Sequence, residues 1–133
     1  MKHIRDHVKE NVLVSLKIEE PDYARALFEE GKGWVCTLRG EVVGFSCGRI
    51  KQGDVWALFI DSKVEGFGIG SRLMEPLEAW MFSQGCEEIV LSTNPGTRAE
   101  RLYRRRGWVE TGLRPSGELG FRLRNPGENT RPD

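Results

Sequence analysis

The sequence predicts a single mixed α/β domain of the α+β kind. Three observations lead there. A chain of 133 residues has the length of one domain and can bury one core. Its apolar spacing is helical at the start, strand-like over residues 34–60, and then alternates between the two. A glycine-rich stretch, Glu65-Gly-Phe-Gly-Ile-Gly-Ser-Arg-Leu73, joins the last of the early strands to a helix.

Element by element, Ile4, Val8 and Val12 recur at helical spacing and predict a short amphipathic helix over residues 2–12. Residues 12–18, VLVSLKI, read equally as a helix end or a strand. Pro21 opens a second helix, with Ala24, Leu27 and Phe28 on one face and Gly31 as its terminator. WVCTL (34–38), the turn Arg39-Gly40-Glu41 and VVGFSCGRI (42–50) predict a hairpin. Gln52-Gly53-Asp54 then turns into VWALFI (55–60), a run with too little polar alternation for an exposed edge, so a central strand.

A helix follows from about Ile69 to Ser83, with Ile69, Leu73, Leu77, Trp80 and Met81 as its buried stripe. Pro76 removes a backbone donor inside it and is expected to kink it; Gly85 ends it. EEIVLST (87–93) reads as a buried strand. Thr97-x-x-Glu100 is a capping box opening a helix through Arg106, with Gly107 as terminator. WVETGL (108–113) and LGFRL (119–123) flank Pro115-Ser116-Gly117 as a last hairpin. One domain over residues 1–124 and a frayed tail over 125–133 complete the expectation.

Composition narrows the function classes. Twenty basic residues balance twenty acidic ones, so no general pull toward nucleic acid or anionic lipid exists. No apolar run is long enough to cross a bilayer, and the charged N-terminus lacks the apolar centre of a signal peptide. Three cysteines, Cys36, Cys47 and Cys86, are an odd number without paired spacing; the expectation is a reducing compartment, the cytoplasm. His3 and His7 sit four apart, as two helix-borne ligands would, but no third ligand accompanies them, so no metal is expected.

The glycine stretch fits neither common nucleotide loop. Gly70 runs straight into Ser71, without the lysine of a Walker A loop, and Gly66-x-Gly68-x-Gly70 is one spacer short of a dinucleotide-binding fingerprint. It still enters a helix N-terminus, where unpaired amides and the dipole favour an anion and glycines let it approach. Ser71 can add a hydroxyl, and Arg72 a positive charge if it faces the ligand. The loop alone leaves an anion site and a simple tight turn both open.

The stretch VEGFGIGSRLME, preceded by WALFID, resembles the acetyl-coenzyme A loop of the GNAT superfamily of N-acetyltransferases. Its Gln/Arg-x-x-Gly-x-Gly/Ala signature falls on Glu65, Gly66, Phe67, Gly68, Ile69 and Gly70. A second family pattern, Asn/Thr-x-Ala-x-x-Leu-Tyr-x-x-x-Gly-Phe/Trp, matches Thr97 through Trp108. The resemblance covers roughly residues 20–124 and implies a central mixed, mostly antiparallel sheet flanked by helices. The family opens with a strand; here it is either missing, leaving an edge for a homodimer partner to cover, or supplied by residues 12–18. Glu65 stands where Gln or Arg is usual, and its carboxylate is expected to face away from the phosphates.

The resemblance further implies transfer of an acetyl group from acetyl-CoA to a primary amine, of a small molecule or a protein. Leu58, Phe59 and Ile60 would pair with the pantetheine amides. The backbone of Gly66, Phe67, Gly68, Ile69, Gly70 and Ser71 would hold the pyrophosphate, with Arg72 and Thr97 completing the cofactor site. Tyr103 would be the general acid toward the departing sulfur, against the plainer reading of a core aromatic beside Ala99 and Leu102. Asp54 and Glu41 are candidate bases, and Asp61 is read as fixing the loop's turn. Trp34 and Trp56 are candidates to line the acceptor pocket, with core packing favoured for each. Arg98, Arg101, Arg104, Arg105 and Arg106 read as a solvated helix face, or as contacts to the 3′-phosphate from Arg98 or Arg101. The competing functions are a non-catalytic acyl-CoA-binding regulatory module and, lacking net charge and interleaved aromatics, a nucleic-acid binder.

Overall fold

The structure, a computed structural model, describes residues 16–20 and 31–126. The expected helices over 2–12 and 21–30, and the tail beyond residue 126, lie outside the described residues. Seven strands form one sheet: β1 Leu16–Glu19, β2 Gly31–Leu38, β3 Glu41–Arg49, β4 Asp54–Ile60, β5 Glu88–Thr93, β6 Val109–Leu113 and β7 Leu119–Arg124. The helices are α1, Ile69–Ser83, and α2, Arg98–Arg105. Strand order is β1-β2-β3-β4-β5-β7-β6. Every neighbouring pair is antiparallel except β4 and β5, which run parallel.

The meander follows from its turns. Arg39 and Gly40 both have positive φ, 53° and 85°, so a two-residue loop closes β2 onto β3 with the twist a hairpin needs. At the next turn Arg49 grips Asp54 through Nε and Nη2, at 2.9 and 2.6 Å. β4 lies at the middle of the sheet. α1 buries Ile69, Leu73, Met74, Leu77 and Met81 against the meander, where Ser46 Oγ donates to the Leu73 carbonyl at 3.2 Å. The helix runs continuously through Pro76.

Gly31 opens β2 and pairs with Arg49, the ladder with β3 extending three residues before Trp34; the helix it was expected to end lies outside the described residues. The first strand is not missing: Leu16–Glu19 pairs antiparallel with β2, Leu16 opposite Leu38 and Glu19 opposite Val35. It takes the last part of the ambiguous VLVSLKI run. The reason for expecting a dimer partner at that edge therefore falls away.

Candidate functional site

β4 and β5 meet at one register position, Asp54 opposite Val90, with the Val90 amide bonded to the Gly53 carbonyl at 3.0 Å. Beyond it they diverge. β4 carries a β-bulge there: Cys47 faces Ala57 and Gly48 faces Val55, leaving Trp56 as the extra residue that bends the strand. The β5-side edge of β4 past the bulge consequently has no strand partner among the described residues. A pocket of about 720 Å³ opens in this region, lined by Leu58 and Ile60 of β4, the glycine loop, and one face of α2.

The loop is shaped as an anion cradle. Asp61 accepts from the Lys63 amide at 2.9 Å and caps a single 3-10 turn, Ser62–Val64, that delivers the chain to Glu65. Gly66 and Gly68 then adopt φ of 87° and 77°, conformations costly for a residue with Cβ, and neither has an atom within 4 Å of where a Cβ would sit. The first bond of α1 runs from the Arg72 amide to the Gly68 carbonyl, and no side chain caps the helix. Among the described residues, no acceptor takes the six amides from Gly66 to Ser71. Unpaired amides at a helix N-terminus are the donor set a phosphate or pyrophosphate needs, so the residues present fit a coenzyme A pyrophosphate.

The second wall is α2. Thr97 caps it, accepting from the Glu100 amide at 3.2 Å, while Glu100 accepts from the Gly96 amide at 2.7 Å. That second bond holds the Glu100 carboxyl below its ordinary range. Leu102 faces the pocket with Arg98, Arg101 and Arg105, one helical stripe. The five arginines separate by partner. Arg104 bonds Glu100 at 2.9 Å and Glu110 at 2.6 Å. Arg106 is bound by Glu78 of α1. Arg98 pairs with Glu65 at 3.1 Å. Arg101 and Arg105 have no carboxylate partner among the described residues and line the pocket.

Leu58, Ile60, Gly66, Gly68, Ile69, Gly70, Ser71 and Thr97 meet at this pocket. Four other expected residues do not line it. Phe59 alternates to the opposite face and stacks on Phe45 at 5.6 Å, so only its backbone can serve a ligand. Phe67 is partly buried and packs against the core, and the exposed Arg72 lies outside the lining. Tyr103 is 5% exposed, packed against Trp108 and Phe121 at ring distances of 5.9 and 6.1 Å. Its hydroxyl has no protein partner among the described residues, and burial pushes its pKa up to about 12. Glu65 is among the residues that line the pocket, and its carboxylate pairs with Arg98.

Both named bases are engaged elsewhere. Asp54 is clamped by Arg49 at the far end of β4 from the loop, and Glu41 pairs on the surface with Lys63 at 3.4 Å. Trp34 is core, 3% exposed, with its ring edge-on to Trp80 at 5.9 Å and its Nε1 donating to Glu20. Trp56 departs from core packing: it is 49% exposed, because the bulge lifts it out of the pleat. Among the described residues no group of His, Cys, Asp and Glu could hold a metal, and no helix is long and apolar enough to cross a membrane.

The comparisons agree with this geometry. A curated relative, an uncharacterized N-acetyltransferase of Methanocaldococcus jannaschii, is 31% identical over 86 residues, 62% of this chain and 55% of its own length. The PaiA N-acetyltransferase of Thermoplasma acidophilum, solved with coenzyme A, superposes with a TM-score of 0.67 at 13% identity. That match covers 77% of this chain and 65% of the other. A GNAT family acetyltransferase of Elizabethkingia anophelis with acetyl-CoA bound gives 0.65 at 12% identity, over 84% of this chain and 99% of the other. The chain thus spans about half of its curated relative and nearly all of some structural ones. Residues 2–108 match the acetyltransferase (GNAT) family. That match takes in the diverging strands, the uncapped glycine loop and all of α2, and the chain belongs to the acetyltransferase (GNAT) family.

Proposed function

We propose that the protein transfers an acetyl group from acetyl-CoA to a primary amine. The observation that carries this reading is the set of six unpaired amides, Gly66 to Ser71, on the wall of a pocket beside an unpaired strand edge. The amides take the pyrophosphate. The free edge of β4 around Leu58–Ile60 pairs with the pantetheine amides as an added strand would. Arg101, with Arg105 one turn on, takes the 3′-phosphate.

Transfer then needs positioning more than chemistry from the protein. The neutral amine attacks the thioester carbonyl where β4 and β5 separate; the C–N bond forms, the C–S bond breaks, the sulfur leaves as the CoA thiolate, and the proton shed by the amine passes to solvent. Tyr103 is the group proposed to face the departing sulfur. Its unpaired buried hydroxyl supports that placement, since a buried donor ordinarily has a partner. At about 12 its pKa lies well above an ordinary thiol near 8.5. It therefore stabilises the thiolate by donating a hydrogen bond rather than by giving up its proton.

The second reading, a CoA-binding module without transfer, is favoured by one observation: Tyr103 does not line the pocket. Thiol release from acetyl-CoA across a panel of small amines and peptide N-termini, with thermal shift by CoA, separates the two. A shift with thiol release supports transfer. A shift without release supports the module, and no shift rejects both.

A further inference from the structure

We infer that Glu65 competes with the incoming phosphate for Arg98 and so sets how tightly the pocket holds a pyrophosphate ligand. The inference rests on the coenzyme A reading above. Glu65 and Arg98 both line the pocket, one at the entrance of the glycine loop and one as the first residue of α2, and their side chains meet at 3.1 Å. Arg98 sits at the positive end of a helix dipole, where a cation is disfavoured. Glu65 is its one carboxylate partner among the described residues.

A phosphate taken by the Gly66–Ser71 amides arrives beside that carboxylate, and the two negative charges repel. The conflict has one resolution that keeps both the amides and the arginine. Glu65 swings out, and Arg98 passes from carboxylate to phosphate. The Glu65 backbone stays tied, its amide on the Ser62 carbonyl at 3.4 Å, while its side chain is 39% exposed and has room to move. Arg104 and Arg106 cannot take part in this exchange, because Glu100, Glu110 and Glu78 hold them. The ion pair is therefore an affinity control specific to the phosphate half of the ligand.

The test is calorimetric titration of CoA and of pantetheine, which lacks the phosphates, into wild type, E65Q, R98Q and the double variant. Circular dichroism checks that each is folded. E65Q should bind CoA about three- to tenfold more tightly at low salt, and the gain should shrink as salt screens the repulsion. Pantetheine affinity should not change. In the R98Q background the gain from E65Q should be smaller, since the two residues act as a pair. CoA binding by wild type with equal or weaker binding by E65Q overturns this proposal alone. An equal gain with pantetheine also overturns it, because the effect would then not be phosphate-specific. Absence of CoA binding by every variant overturns the coenzyme A reading and this proposal with it.

Discussion

Arg106 donates from Nε and Nη2 to the two carboxylate oxygens of Glu78, at 2.9 and 2.7 Å. The same carboxylate accepts from Trp108 Nε1 at 3.0 Å. One side chain of α1 thereby fixes the end of α2 and the entry to β6. The pair is largely shielded from water, and losing one member leaves a charge with no partner. Glu78→Ala should cost about 2–4 kcal/mol in urea unfolding, with R106A close behind. The double variant should cost less than the sum of the two.

Tyr103 carries two predictions that separate fold from chemistry. Tyr103→Phe should lower turnover with little change in CoA affinity, measured by thiol release and by titration. Its pH signature follows from the sign of the shift. The folded pKa, about 12, lies above the unfolded value near 10, so the folded state holds the proton more firmly. That contribution is fully present below pH 10 and is lost as pH rises through 12. It amounts to about 2–3 kcal/mol, and the alkaline loss should flatten in Y103F followed by unfolding at stepped pH.

Gly70 is where loop, strand and second helix close on one another. A Cβ there would stand 2.7 Å from Leu102 Cδ2 and 3.1 Å from Ile60 Cδ1, both groups of the pocket wall. Gly70→Ala should push Leu102 into the pocket and weaken CoA binding by about tenfold. The fold should lose only about 1–2 kcal/mol. Titration alongside thermal unfolding reads both.

Arg101 and Arg105 should matter for one phosphate group. R101A and R105A are expected to weaken CoA binding about three- to tenfold each and to leave dephospho-CoA binding unchanged. Equal losses with both ligands would mean the arginines act as a general field instead.

The sequence made the meander and the loop legible because their signals are local. Arg39-Gly40 and Gly53 mark turns, and Gly66, Gly68 and Gly70 stand at fixed spacing before an apolar helix. The edge strand Leu16–Glu19 was ambiguous for the opposite reason: four residues show no period, and pairing with β2 decides them. Spacing could mark the pocket face of α2, since Arg98, Arg101, Leu102 and Arg105 recur on one side. It could not sort the arginines by partner, because Glu78 lies 28 residues from Arg106 and the Glu65 contact exists only once the chain is folded. The bulge at Trp56 left no mark at all, since it is a property of the ladder with β3.

The single paired register position between β4 and β5 leaves a seam in the sheet's hydrogen-bond ladder, with one hydrophobic core packed across it. Amides of β5, β7 and β6 should exchange with solvent deuterium on their own schedule, faster or slower than those of β1 through β4. A ligand lying along the open edge of β4 would bridge that seam and bring the two schedules together. Binding would then register as a gain in mechanical unity, visible in protection patterns on strands that never touch the ligand.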